Sequence, residues 1–289
     1  MTGMPNLFDA IILGLVQGLT EFLPVSSSGH LLLAQRLLGV TDPSIFYTLI
    51  LHLATLLATF IVFRKEIIHL IKALSRIPAF LKNFSRKGSI AISEDDEAWT
   101  CILIIVATIV TGAIGTLFEK QFDESFGWWW LESLGFFITG TALYSTKNMV
   151  LDTDAVSEKH GKGASEVTIK DSILIGIAQA IAILPSISRS GATICTALWL
   201  KINRKFAGEF SFLISMPAIA GALILKSSHG VHIEQEMLPS YIVGFLISFI
   251  FGLLSLIYLL KWIRKGKLHY FAFYCWALGI ITLLMSFRS

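Results

Sequence analysis

The sequence is poor in charged residues. Of its 289 residues only 15% are Asp, Glu, Lys or Arg, whereas 54% are hydrophobic. A soluble domain carries roughly a quarter of its residues as charged side chains. This shortage excludes an ordinary soluble domain and predicts an integral membrane protein that crosses the bilayer several times.

Paired cysteines and nucleic-acid motifs are also missing from the sequence. The three cysteines lie far apart within apolar segments and show neither a CxxC pair nor Cys/His ligand spacing, so we expect small buried side chains rather than a disulfide or a zinc site. No Lys or Arg precedes the first apolar run and no small-residue cleavage site follows it, so we expect no cleaved signal peptide. No nucleic-acid partner is predicted.

The apolar runs predict six membrane crossings and two interrupted segments. A crossing helix needs about 20 apolar residues. The six candidates are Ile45–Phe63, Trp99–Phe118, Leu131–Ser145, Phe206–Leu225, Tyr241–Leu260 and Tyr270–Phe287. The interrupted segments are Leu7–Leu38, broken at Pro24–Gly29, and Ile173–Leu200, broken at Pro185–Gly191. Because each half is too short for a comfortable crossing, we predict an all-α polytopic membrane protein with six transmembrane helices and two re-entrant helix hairpins.

The two interrupted segments share a pattern of residues at a constant offset. Asp9, Gly14 and Gln17 recur as Asp171, Gly176 and Gln179. Each copy is followed by three crossings, and because three is odd the second copy must enter the membrane upside down. The sequence therefore predicts a single membrane domain over 1–289, built as an inverted-topology repeat of about 7–146 and about 171–287.

The basic residues predict an orientation. Eighteen of the 23 Lys and Arg residues fall on one side of this topology, in Arg64–Glu97, Lys147–Lys170, Lys201–Lys205 and Lys261–Lys267. Basic loops stay in the cytoplasm. We therefore expect these loops in the cytoplasm and both termini outside.

The first break carries side chains that are costly at membrane depth. Gln17 and Glu21 are four residues apart on one helix face, three serines follow at 26–28, and His30 opens the next helix. A carboxylate, hydroxyls and an imidazole are suited to hydrolysis or metal-assisted transfer. The alternative is structural, with the serines capping two helices and Glu21 hydrogen-bonded internally.

The second break carries groups that bind anions. Ser188, Arg189, Ser190 and Thr193 bring one guanidinium together with three hydroxyls, and the following helix N-terminus adds backbone N–H donors. This combination favours a phosphate site. The structural alternative is a buried ion pair between Arg189 and Glu21, which is compatible with an anion site before the anion binds.

At these residues the chain resembles the undecaprenyl-pyrophosphate phosphatase (bacitracin-resistance) family. The family signatures are an (E/Q)xxxE helix leading into PVSSSGH, and PGxSRSxxT; they correspond here to Gln17–Glu21 with Pro24–His30, and to Pro185–Thr193. The segments His52–Ala58 and Phe210–Pro217 also match, so the resemblance covers essentially the whole chain. One departure is Ser186, which stands where the family has Gly and would be costly if that position needs a positive φ.

The resemblance implies hydrolysis of undecaprenyl (polyprenyl) pyrophosphate to the monophosphate and inorganic phosphate, in the bacterial inner membrane. This reaction recycles the lipid carrier for cell-wall synthesis and gives bacitracin resistance. We expect the pyrophosphate to be clamped by Arg189, Ser190 and Thr193, with Ser26 and Ser188 also at the binding site. The implied partners are the polyprenyl pyrophosphate and the membrane, and a homodimer is left open.

The chemical roles follow from the same resemblance. Glu21, with Gln17, would bind a divalent cation (Mg²⁺ or Ca²⁺) or orient His30. His30 would act as general base and then as acid, and Ser27 is the candidate nucleophile, with direct attack by water as the competing route. His52 could line the pocket or fill a core role.

A second class of function uses the same residues. Inverted repeats with broken helices are typical of transporters, so a secondary transporter or flippase for a phosphorylated lipid or anion is the alternative. In it, Glu21 and His30 would relay protons while Arg189 holds the anion.

Overall fold

The computed structural model describes residues 5–40, 45–125, 128–147, 149, 161–228 and 234–287. The described chain is α-helical. Its helices in chain order are α1 (Leu7–Thr20), α2 (Ser27–Leu38), α3 (Ile45–Val62), α4 (Arg64–Leu74), α5 (Ile77–Lys87), α6 (Ser89–Glu94), α7 (Asp96–Leu117), α8 (Glu119–Ser125), α9 (Trp129–Ser145), α10 (Ile169–Ile181), α11 (Arg189–Trp199), α12 (Arg204–Ser228), α13 (Leu238–Arg264) and α14 (Tyr270–Ser286). Short 3-10 turns occur at Ala164–Glu166 and Gln235–Met237.

The long apolar helices make this a multi-pass membrane protein, as the composition predicts. Among the described residues, three helices are long and apolar enough to cross a bilayer: Asp96–Leu117, Arg204–Ser227 and Gln235–Arg264. A fourth span results if Phe46–Val62 and Arg64–Leu74 are taken together across their 82° bend. Helices α1 and α14 are apolar but shorter, at 14 and 17 residues.

The core is built from two helix pairs that approach closely through glycine. Helix α1 packs along α13, where a Cβ on Gly14 would lie 2.8 Å from the Gly244 carbonyl oxygen. Helix α10 packs along α7 in the same way, since a Cβ on Gly176 would lie 2.8 Å from the Ala107 carbonyl oxygen. Backbones can come this close only where no side chain intervenes, as at small-residue interfaces in membranes.

The remaining contacts join the two halves of the chain. Helix α13 packs on α3, α7 on α12, α9 on α14, and α3 on α12. The short helices α2 and α11 follow α1 and α10 and pack back against them. Each short helix therefore folds back on the helix that precedes it.

Both interrupted segments are broken, but each break lies about three residues earlier than the predicted Pro24–Gly29 and Pro185–Gly191, so Gly29 and Gly191 lie inside the following helices. Helix α1 ends at Thr20, and α2 starts after the N-cap Ser26, whose hydroxyl accepts a hydrogen bond from the Gly29 N–H at 3.4 Å. Helix α10 ends at Ile181, and α11 starts after the N-cap Ser188, which accepts from the Gly191 N–H at 3.0 Å. The serine caps satisfy amides that a broken helix would leave unpaired.

Helices α4–α6 are tied to the start of α7 by an arginine. The Arg76 guanidinium donates to both carboxylate oxygens of Asp95, at 2.8 and 3.0 Å, and to Glu97 at 2.6 Å. These hydrogen bonds hold the pKa of Asp95 below its usual range. Asp95 is also the N-cap of α7, so one carboxylate starts this helix and anchors the segment before it.

Candidate active site

A cavity of about 280 Å³ lies where the two breaks meet. Its polar part is formed by the two turns and by the first residues of α2 and α11, including Glu21, Ser27 and Arg189. Another part of the wall comes from one face of α12: Ala218, Ile219, Ala222 and Leu223. The cavity thus has both charged and apolar lining.

The polar end is organised around the carboxylate of Glu21. The side chain of Glu21 is only 2% exposed, and its Oε1 accepts a hydrogen bond from the Arg189 guanidinium, which is 25% exposed. Its Oε2 accepts from the Ser27 hydroxyl at 2.6 Å and from the Gln17 amide at 3.0 Å. His52 Nε2 lies 3.9 Å from the same oxygen. A buried charge is tolerated only with partners of this kind.

Two helix N-termini point into the cavity. Ser26–Ser28, at the start of α2, and Ser188–Arg189, at the start of α11, all line its wall. Free backbone N–H groups and the positive end of the helix dipole favour an anion at such a position. Together with the Arg189 charge, they make this end of the cavity suitable for a phosphate group.

Four residues predicted for the site lie outside the cavity wall. Gln17 is fully buried behind Glu21. The hydroxyl of Thr193 is fully buried and donates to the Arg189 carbonyl at 3.0 Å, and the Ser190 hydroxyl lies 3.2 Å from that of Ser188. The fourth residue is His30. The Thr193 hydroxyl could bind a ligand only by giving up its hydrogen bond to the Arg189 carbonyl.

His30 is engaged on both sides of its ring. Its Nδ1 lies 2.7 Å from the Ser26 carbonyl oxygen, and its Nε2 lies 2.7 Å from the Tyr274 hydroxyl, with the Tyr274 ring stacked on the imidazole. A carbonyl can only accept, so Nδ1 carries the proton and Nε2 accepts from Tyr274. In this arrangement His30 holds the backbone of the Ser26 turn.

Comparison with known proteins gives the family. A family profile described as "Bacitracin resistance protein BacA" matches residues 10–281. This chain belongs to the BacA family. It is 37% identical over 285 residues to an undecaprenyl-diphosphatase of Desulforapulum autotrophicum, covering 98% of this chain and 99% of the relative. It is 39% identical over 293 residues to undecaprenyl-diphosphatase 3 of Bacillus cereus, covering 98% of this chain and 99% of the relative.

A cation would find few protein ligands in this BacA protein. Among the described residues, no group of three His, Cys, Asp or Glu side chains could hold a metal ion. Within the described residues Gln17 Oε1 is buried without a hydrogen-bond partner, but Gln17 does not line the cavity, which leaves Glu21 and the neighbouring hydroxyls. Mg²⁺ is often bound by one or two carboxylates together with substrate phosphates and water. A cation at this site would be carried mainly by the phosphates, with Glu21 as its protein ligand.

Sequence reasoning missed part of the cavity wall. Thr111, Gln179 and Lys226 line it, and His52, which the sequence left between a pocket and a core role, lines it as well. Lys226 stands at the end of a long apolar helix, where a lysine is typical of a membrane-interface residue. Gln179 matches Gln17 in the sequence pattern, and this correspondence is the signal that could have drawn attention to it.

The second break contains a strained serine. Ser186 has φ 59°, and its buried hydroxyl has no hydrogen-bond partner in the described part of the chain. Gly29 packs directly on it, since a Cβ there would lie 2.4 Å from Ser186 Oγ. The sequence-based concern about Ser at a family Gly position is therefore justified, because this position does need a positive φ.

Ser186→Gly should stabilise the protein. Glycine removes the cost of the left-handed backbone, about 1 kcal/mol, and also the unpaired hydroxyl, whereas the control Ser186→Ala removes only the hydroxyl. Thermal unfolding in detergent should give a higher midpoint for Ser186→Gly than for Ser186→Ala. A lower midpoint for Ser186→Gly would mean that the backbone at this position is unstrained.

Proposed function

We propose that this protein hydrolyses undecaprenyl pyrophosphate to undecaprenyl phosphate and inorganic phosphate. One observation carries the proposal: Arg189 and two helix N-termini meet a buried carboxylate and a serine hydroxyl at the polar end of a cavity whose other wall is apolar. The reaction recycles the lipid carrier of cell-wall synthesis and accounts for the bacitracin resistance that gives the family its name.

The cavity suits both parts of the substrate. The pyrophosphate binds at the α2 and α11 N-termini and takes over the Arg189 guanidinium from Glu21, because a multiply charged phosphate is the stronger acceptor. Ser188, with Ser190 and Thr193 behind it, supports the α11 end. The first isoprene units of the tail lie along Ala218, Ile219, Ala222 and Leu223 and continue into the lipid.

Ser27 is placed for nucleophilic attack. Its hydroxyl donates to Glu21 Oε2 at 2.6 Å, so the proton already points at a carboxylate and an oxygen lone pair is free for phosphorus. As Ser27 Oγ bonds to the terminal phosphorus, its proton passes to Glu21 Oε2. The bond from that phosphorus to the bridging oxygen breaks, and the lipid monophosphate leaves with the electron pair and takes the proton from Glu21. Water then hydrolyses the phosphoserine; direct attack by water at the same phosphorus is the competing route.

A divalent cation, Mg²⁺ or Ca²⁺, would be held by the pyrophosphate oxygens and Glu21. When bound, it would offset the charge that builds up on the leaving phosphate. Gln17 supports Glu21 from behind through its amide N–H.

We further propose that the domain is an inverted repeat of six crossings and two re-entrant hairpins. Several contacts support this because they pair when the halves are exchanged: α1 on α13 corresponds to α10 on α7, α3 on α13 to α12 on α7, and α1 on α2 to α10 on α11. The pairs α9 with α14 and α3 with α12 map onto themselves. Capping boxes at the starts of α1 and α10 match too.

The basic loops would then lie in the cytoplasm, with both termini outside, in the inner membrane of a bacterial cell. The cavity reaches toward the C-terminal end of α12, where Lys226 lines it. In this orientation that end of α12 is the outer one. The site would therefore act on pyrophosphate that becomes available at the outer face.

Loss of either charge of the central pair should abolish hydrolysis. Glu21→Gln and Arg189→Gln are each expected to lower kcat/KM for a polyprenyl pyrophosphate by at least about 10²-fold, on the scale of losing an electrostatic catalytic group. Phosphate release in detergent measures this. Glu66→Gln and Arg86→Gln, at exposed positions of α4 and α5, are matched controls that should keep wild-type rates.

Two outcomes would contradict the proposal. Wild-type protein that binds the lipid pyrophosphate without releasing phosphate would be a carrier for the lipid rather than a hydrolase. Full rates in both Glu21→Gln and Arg189→Gln would move the reaction to another site. Acid quenching during turnover should trap phosphate on Ser27, and wild-type turnover by Ser27→Ala would leave direct attack by water.

The orientation predicts which surface cysteines a membrane-impermeant reagent can reach. The native Cys101, Cys195 and Cys275 are buried, and Ser93 and Ser227 are exposed at opposite ends of the proposed topology. In intact cells Ser227→Cys should be labelled, whereas Ser93→Cys should be labelled only after permeabilisation. The reverse pattern would invert the topology.

A further inference from the structure

The cavity contains one imidazole nitrogen that the proposed reaction does not yet use. His52, on α3, is 27% exposed and lines the cavity wall. Its Nδ1 lies 2.9 Å from the Thr48 carbonyl oxygen one helical turn earlier, so Nδ1 carries the proton and donates. In the described part of the chain, Nε2 makes no hydrogen bond, and its lone pair is available on the cavity side.

The two histidines near the site, His30 and His52, therefore differ in whether a ring nitrogen is free to accept a proton. His30 has both ring nitrogens occupied, by the Ser26 carbonyl and the Tyr274 hydroxyl, and it lies outside the cavity wall. His52 has one nitrogen anchored and the other free. A proton acceptor must reach the proton that it takes, directly or through one water. His52 lines the cavity with an open nitrogen, whereas His30 lies outside the cavity wall and has both ring nitrogens occupied.

The open nitrogen of His52 lies beside the carboxylate that binds Ser27. Glu21 Oε2 lies 3.9 Å from Nε2 and also accepts the Ser27 hydroxyl, so His52 and Ser27 flank the same oxygen. Position 17 is a glutamine, whose amide donates to Glu21 and cannot take up a proton. Arg189 and Lys226 are the other charged groups of the cavity wall.

We propose that His52 is the proton acceptor for the hydrolytic water, and that His30 is a positioning residue for the Ser26 turn. This assignment rests on the proposed phosphatase function and replaces the base role that the sequence suggested for His30. It names a residue of α3 that lies outside both signature segments.

In the hydrolytic step, a water oxygen forms a bond to the terminal phosphorus. The bond from phosphorus to its leaving oxygen breaks, and the electron pair stays on that oxygen. The leaving oxygen is Ser27 Oγ when a phosphoserine has formed, or the bridging oxygen in direct hydrolysis. One water proton moves to His52 Nε2, and the imidazolium faces the Glu21 carboxylate. It then returns the proton to Ser27 Oγ, or to solvent once the products leave.

The test compares His52→Gln with His69→Gln, an exposed histidine of α4 that serves as the matched control. Glutamine keeps a polar side chain at position 52 but cannot accept a proton. We expect His52→Gln to lower kcat by about 10²-fold with little change in KM. His69→Gln should keep the wild-type kcat and KM.

Each outcome has a distinct meaning. A wild-type kcat in His52→Gln would overturn the assignment, as would a loss of kcat/KM that comes only from a higher KM. Equal thermal midpoints of His52→Gln and wild type, measured alongside, exclude unfolding as the cause of a low rate. If wild-type protein releases no phosphate at all, the phosphatase function fails first, and His52 is then rejected as its base.

Discussion

The ion pair between Glu21 and Arg189 is the contact on which the active-site region depends. A carboxylate that is 2% exposed in an apolar bundle is costly unless it is paired and hydrogen-bonded. Its partners come from both breaks, because Arg189 opens α11 while Ser27 opens α2. The two short helices can therefore satisfy this charge only by meeting, and the cavity forms where they meet.

The same pair gives the site a charge balance that an anion could take over. Arg189 is neutralised by Glu21 Oε1. In the proposed reaction, a pyrophosphate would offer more negative charge and several oxygens, so it would displace Glu21 while the α2 and α11 N-termini add backbone donors. The freed oxygen, Oε1, would then be available to a cation that the substrate carries, while Oε2 stays next to His52. The same rearrangement would therefore bind the pyrophosphate and free an oxygen of the Glu21 carboxylate.

Much of this arrangement follows from the sequence. Proline and glycine indicate that each segment is broken, although the helices end at Thr20 and Ile181, before the predicted breaks. Glu21 and Arg189 stand out because charges at membrane depth are rare. The family signatures in the sequence indicated which reaction to expect, the hydrolysis of a polyprenyl pyrophosphate. The Ser186 substitution was visible as well, although only the backbone shows that its φ is positive.

Other features needed three-dimensional contacts. The sequence alone does not show whether His30 or His52 has a ring nitrogen free to accept a proton. Their hydrogen bonds show that both nitrogens of His30 are occupied, whereas only Nδ1 of His52 is. Lys226 and Gln179 line the cavity through tertiary packing that no local pattern encodes. Helix length and composition alone identify three or four membrane spans among the described helices. The six-crossing topology also needs shorter helices to cross the membrane.

The most direct measurement of the central claim is a double-mutant cycle on thermal stability without substrate, using Glu21→Gln, Arg189→Gln and the double variant. Arg189→Gln leaves a deeply buried carboxylate unpaired, whereas Glu21→Gln leaves a guanidinium that is one-quarter exposed. We predict that Arg189→Gln has the lowest unfolding midpoint. The double variant should have a midpoint close to that of Glu21→Gln alone. Simple addition of the two losses would contradict the claim that this pair joins the two breaks.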